Sequence, residues 1–261
     1  MRSLQAWLAS SVLMVSTATP LAAGAKAAVL VYPSGSAVPE NLLRIELRFS
    51  EPLRAPLNIN HVKFLNASGR EIEDAFLDLP LPSTDSRRVT LLLHPGRVKS
   101  GVGANVLLGR ALKEGDEVTL SIDDAALPRP VHKTWHVTAF DATSPAPQAW
   151  TFQVPAAGSR QALNVQLDAP ISSSAESLIA IRGPNGARVR GRVSLGDAET
   201  MWRFTPDRSW QAGRHALMVN PDLEDPAGNR ACAPFELVHA SDIGCDASVE
   251  RTFEVGTHRA R

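Results

Sequence analysis

The 261-residue chain carries 27 Lys+Arg against 27 Asp+Glu, so its formal net charge at pH 7 is zero. No basic block stands out and Tyr32 is the only tyrosine. This excludes both the electrostatic footprint and the aromatic stacking platforms of nucleic-acid binders. Hydrophobic content is 44%, and 19 prolines and 17 glycines punctuate short apolar runs, the composition of an all-β globular chain with many turns.

The N-terminus reads as an export signal. Arg2 precedes an apolar stretch from Leu4 to Val15, and Pro20 precedes two small-x-small sites ending at Ala25 and Ala27. The stretch is shorter than the roughly 20 residues of a spanning helix. The expectation is a signal peptide over 1–27, cleaved after Ala25 or Ala27, and a periplasmic or extracellular mature chain without a transmembrane segment.

Beyond it, Leu43-Arg-Ile45-Glu-Leu47-Arg-Phe49 alternates apolar and charged residues and stops at Pro52. Period two places one face in a core and the other in water. Val62–Phe76 then shares its spacing with Ile179–Val193: counted from Gly69 and Gly186, apolar residues fall at −7, −5, +3 and +7 in both. The pattern predicts strand, glycine turn and returning strand, twice. Leu91-Leu-Leu93-His-Pro95 matches Trp202-Arg-Phe204-Thr-Pro206, and Leu163-Asn-Val165-Gln-Leu167 ends at Pro170 as the earlier strand ends at Pro52. The first copy carries an insertion at about 97–113, expected as a long loop or extra hairpin. Val118–Ile122 and Trp135–Phe140 close that copy, Asp141–Pro147 links, and the second copy runs from Phe152 through Leu217–Val219 to Thr252–Val255. Each copy offers about seven short strands, which suits a Greek-key sandwich.

The order of these motifs resembles bacterial Ig-like domains of the S-layer type. Pro33–Pro39 followed by Ile45–Pro52 is similar to their opening, and Trp202–Pro206, Ala212–Leu217 and Leu223-Glu-Asp-Pro-Ala-Gly-Asn229 to their later strands and turn. The first copy departs from the pattern, with Asp123-Asp124-Ala125-Ala126 in place of that turn. The resemblance implies two tandem Ig-like β-sandwiches in an envelope setting, acting as spacers or binding modules without catalysis. The expected organisation is a sandwich over 28–143, a second over 144–257 and a tail at 258–261.

Chemistry-bearing residues are sparse. Cys232 and Cys245 are the only cysteines. In an exported chain they are expected to pair, closing a loop of about 14 residues worth ~3 kcal/mol. His132 and His136 have a helical ligand spacing, yet in a strand they stand about 13 Å apart. Asp222, Glu224, Asp225 and Asn229 cluster as a turn or as an incomplete calcium shell. No Gly-x-Ser-x-Gly, His-Glu-x-x-His or phosphate-binding glycine loop occurs, so no catalytic residue and no cofactor is assigned. The opening strand is also similar to periplasmic copper carriers, which makes metal binding the alternative function, although only Met201 and Met218 follow the signal as methionine ligands. Of the tryptophans, Trp210 follows a turn and is expected at the surface. Arg97, Lys99 and Arg110 of the insertion join it as the expected interaction surface, for another envelope protein or a surface polysaccharide.

Overall fold

The computed structural model describes residues 28–98, 103–231 and 248–256. The expected signal peptide, Lys99, Cys232 and Cys245 lie outside the described residues.

The N-terminal half has eight strands among the described residues: β1 Val29–Tyr32, β2 Ala37–Pro39, β3 Arg44–Phe49, β4 Val62–Asn66, β5 Leu81–Pro82, β6 Arg88–Leu92, β7 Glu117–Ile122 and β8 Val131–Thr138. They form two sheets, β1-β3-β6-β5 and β2-β8-β7-β4, antiparallel except for β2 beside β8. The C-terminal half has β9 Thr151–Gln153, β10 Leu163–Gln166, β11 Ile179–Arg182, β12 Gly191–Gly196, β13 Met201–Pro206, β14 Gly213–Val219 and β15 Val249–Val255. Its sheets are β12-β13-β10-β9 and β11-β14-β15. In each half the first, second, fifth and fourth main strands make one sheet, and the third, sixth and seventh the other. That is the strand order of an immunoglobulin-type sandwich, and the fold is two such sandwiches in tandem.

Each sandwich has its own core. Ile45, Leu47 and Phe49 of β3 meet Phe64, Leu91, Leu120, Ile122, Trp135 and Val137 in the first. Leu163 and Val165 of β10 meet Ile181, Trp202, Phe204, Trp210, Leu217 and Val255 in the second. The odd positions of β3 are therefore the inner ones, as its alternation predicts. Burying each such side chain contributes about 1.5–3 kcal/mol.

The repeated hairpins are equivalent in detail. Gly69 N donates to Asn66 O and Asn66 N to Arg70 O; Gly186 N donates to Gly183 O and Gly183 N to Ala187 O. Gly69 and Gly186 have φ of 76° and 79°, the left-handed region where a Cβ is penalised. The insertion departs from expectation. Expected as a long loop or extra hairpin, it begins inside a short helix, α1 Pro95–Val98, and carries a second, α2 Gly103–Leu108, among its described residues.

The predicted wet face of β3 is the larger correction. Glu46 is only 2% exposed, because the C-terminal sandwich folds back onto that face. Alternation along one strand reports which side chains share a face, and here both faces are covered.

Candidate functional site

Three loops of the C-terminal sandwich, all at the same end, build the joint. From the β10–β11 loop, Ser173 Oγ donates to Glu46 Oε2, Ser174 N donates to Glu46 Oε1 at 3.2 Å, and Arg48 donates to Ser173 O while pairing with Glu176 at 2.8 Å. From the β12–β13 turn, Glu199 accepts from Ser34 N at 2.9 Å and from Ser34 Oγ. From the β14–β15 loop, Glu224 pairs with Arg44, and Pro226 O accepts from Leu43 N. The charges that read as a solvated stripe are thus consumed by a partner element of the same chain.

The β12–β13 turn is strained to reach this position. Asp197, Ala198 and Glu199 have φ of 51°, 55° and 63°, a left-handed run that costs non-glycine residues energy and persists only where neighbours over-determine it. Gly35 supplies the closeness: a Cβ there would stand 3.0 Å from Ala198 Cβ.

The linker is clamped as well. Asn41 and Asp141 exchange hydrogen bonds at 2.8 and 2.9 Å, and Asn229 Nδ2 donates to Asp141 O at 3.0 Å. Asn229 also donates from N and Nδ2 to the two carboxylate oxygens of Asp225. Burial pushes the Asp225 carboxyl up to about 6 against the pull of the Asn229 hydrogen bonds, and burial likewise raises Glu176 despite Arg48 beside it. Asp124 occupies the corresponding turn of the first copy. Burial raises it too, but the N–H groups of Ala126 and Asn58, together with His61, outweigh that and hold it below the usual range. In the Asp222–Asn229 cluster the oxygens serve protein partners: Asp222 and Glu224 share Arg230, Glu224 also faces Arg44, and Asp225 faces Asn229. The cluster is a turn and a brace.

The expected interaction residues fall differently from their forecast. Arg97 is buried, and its Nη1 donates to Leu108 O at 2.7 Å. Arg110 pairs with Glu40 and lies over the Phe140 ring. Both brace the insertion from within; position in a long insertion does not reveal which residues support it. Trp210 is buried, 3% exposed, against Phe204, His215 and Phe253, with Nε1 donating to Gln161 O. A turn precedes it, but the ring folds under that turn. His132 and His136 both lie on β8 and are exposed. Among the described residues no group of three or more His, Cys, Asp or Glu side chains converges as a metal shell.

Two surfaces stand out among the described residues; the sequence pointed to the insertion and to Trp210, but not to the apolar side chains of the first or the arginines of the second. On the insertion, Val106, Leu107 and Leu108 of α2 project into solvent, Leu107 at 84% exposure. At the end of the C-terminal sandwich opposite the joint lies a cleft of about 510 Å³. Arg188, Arg190, Arg208, Asn185, Trp210 and His215 are among its lining. His215 Nδ1 donates to Gly213 O at 3.0 Å, so in the neutral ring Nε2 carries the free lone pair. Arg188, Arg190 and Arg192 alternate along the sequence, and the topology adds Arg208 to them by bringing the 183–190 and 207–211 loops together.

No family model matches the chain, and no curated protein matches it. Among solved structures, it is similar to a chimeric titin Z1Z2 bearing a decorin-derived peptide, at 12% identity and TM-score 0.28, covering 86% of this chain and 92% of that one. It is also similar to Rst D1-D2, at 7% identity and TM-score 0.24 over 85% and 94%. A fragment of α2-macroglobulin from Escherichia coli aligns at 14% identity and TM-score 0.23 over 68% and 61%. These superpositions are loose, and the fold assignment rests on the strand order.

Proposed function

We propose that this chain is a non-catalytic, exported cell-envelope protein that binds a second envelope protein and holds it at a fixed angle. The observation that carries the reading is the exposed apolar turn Val106–Leu108, presented on an insertion that buried Arg97 stiffens from beneath. Three consecutive apolar side chains held in solvent cost solubility and are a feature of contact surfaces. The joint supports a positioning role. Ser173, Glu199 and Glu224 of the β10–β11, β12–β13 and β14–β15 loops are engaged within the chain, which ties the two sandwiches together.

A protein partner is favoured over a polysaccharide by the tryptophans. Trp135, Trp150, Trp202 and Trp210 are all buried, and each indole N–H is satisfied internally. Rings for stacking on sugars are therefore not offered by these four. The test is recovery of partners from envelope extracts with wild-type chain and with Leu107→Asp. The variant should melt like wild type, since the side chain is exposed, and should lose the partner. Recovery equal to wild type refutes the role of the insertion.

A further inference from the structure

The C-terminal sandwich concentrates its positive charge. Residues 182–214 contain seven arginines, no lysine and three acids, Asp197, Glu199 and Asp207. Arg182 pairs with Glu250, and Arg203 donates to Asn164. Arg188, Arg190, Arg192 and Arg208 are exposed and have no side-chain partner among the described residues. Arginine's planar fork matches planar or multidentate anions such as carboxylates and phosphates in a way lysine's point charge does not, and an apolar groove beside the arginines suits a carboxylate-bearing peptide.

An open strand edge runs through this cluster. β12 is the outermost strand of its sheet and pairs only with β13. Asp207 N donates to Arg190 O, and the register opposes Gly191 to Pro206, Arg192 to Thr205 and Val193 to Phe204. Antiparallel pairs alternate between bonded and non-bonded. Arg190, Arg192 and Ser194 therefore bond to β13, and the N–H and C=O groups of Gly191, Val193 and Leu195 face outward. None of these three N–H groups has a protein partner among the described residues. Beside the edge a groove of about 340 Å³ is floored by Ile181, Val189, Val193 and Phe204, and it shares Arg188, Val189, Arg190 and Asp207 with the larger cleft.

We propose that an extended acidic segment of a partner protein adds to the free edge of β12 as a further strand. The proposal rests on the binding-module reading above and names the chemistry of the partner. Main-chain hydrogen bonds to Gly191 and Val193 supply the docking, as in other cases of strand addition. The side-chain pattern follows from the pleat. Residues of the added strand beside Arg190 and Arg192 lie on the solvent face and are acidic. The alternate residues lie over Val189, Val193 and Phe204 and are apolar. The ligand is a strand alternating Glu or Asp with Val, Ile or Leu.

The experiment titrates three probes into the full chain: an octapeptide alternating Glu and Val, its Lys/Val counterpart, and soluble polygalacturonate. The Glu/Val peptide should bind, weaken with rising salt, lose about tenfold in affinity in R190E/R192E, and fail to bind Val193→Pro. That proline removes an outward N–H and leaves the β12–β13 ladder intact, the position a sheet tolerates for proline. Should Val193→Pro unfold, the Glu/Val peptide N-methylated at alternate residues tests the same bonds from the ligand side and should not bind. Equal binding to Val193→Pro or of the methylated peptide overturns the proposal. So does equal binding of the Lys/Val peptide. Polygalacturonate binding that competes with the Glu/Val peptide and ignores Val193→Pro also overturns it, by identifying a general polyanion patch. Failure here with partner loss in Leu107→Asp intact removes the strand-addition assignment alone; loss of both removes the binding-module reading.

Discussion

Glu46→Ala tests whether the joint between the sandwiches is a built feature. The carboxylate is 2% exposed and accepts from Ser173 Oγ and Ser174 N. A hydrogen bond to a charged group contributes about 1.5–3 kcal/mol, and a buried donor left unpaired costs about 1–3 kcal/mol. The Ser174 N–H is only part-buried and regains water in the variant, and removing the charge returns some desolvation energy. The Ser173 bond therefore dominates, and the expected loss is about 2–4 kcal/mol in the docked arrangement. At about 1.4 kcal/mol per tenfold, the docked-to-open ratio falls by roughly 30- to 700-fold. Small-angle scattering should show the variant extended, and a double-mutant cycle with Ser173→Ala should give a coupling of about 1.5 kcal/mol or more by thermal denaturation. Scattering identical to wild type with a coupling under about 0.3 kcal/mol would refute the reasoning.

Asp225 gives a pH dependence of definite sign. Its folded-state carboxyl titrates at about 6 against an ordinary value of 3.8, so the folded form holds the proton more tightly. The group costs about 3 kcal/mol above pH 6 and returns that stability as pH falls from about 6 to about 4. Carbon-13 titration of the side chain checks it, and a midpoint below about 4.5 defeats it. Gly191→Ala places a Cβ 2.4 Å from Thr205 O and 2.6 Å from the Phe204 ring, which should destabilise by about 1–3 kcal/mol. Gly196→Ala, with nothing within 4 Å, is its control in the same strand and should stay within about 0.5 kcal/mol in urea unfolding. Trp210→Ala empties a buried site shared with Phe204, His215 and Phe253 and should cost about 3–5 kcal/mol. A loss under about 1 kcal/mol would show the ring to be dispensable to the core.

The fold was legible because it is periodic. Ile45, Leu47 and Phe49 alternate, Gly69 and Gly186 mark equivalent turns, and these patterns are local consequences of the pleat and of left-handed φ. The surfaces were not legible, because they are products of long-range placement. Nothing adjacent to Glu46 in sequence announces that Ser173 will cover it. Trp210 follows a turn and still turns inward, since its ring is needed between Phe204 and Phe253. Arg97 looked like a surface cation of a loop, but the carbonyl of Leu108 at a helix end requires a donor. The exposed side chains of the insertion include Val106, Leu107 and Leu108, and so short an apolar run is indistinguishable from core sequence until its exposure is known.

Among the described residues the first core draws on residues 29–137 and the second on residues 150–255. A chain made from its N-terminus therefore completes one sandwich before the other has all its strands. In that interval the β3 carboxylate and its flanking guanidinium groups stand hydrated, on a surface waiting for a lid still being synthesised. The late half thus matures against a finished template, and its left-handed turn at Asp197–Glu199 has somewhere to settle only once the early half is in place.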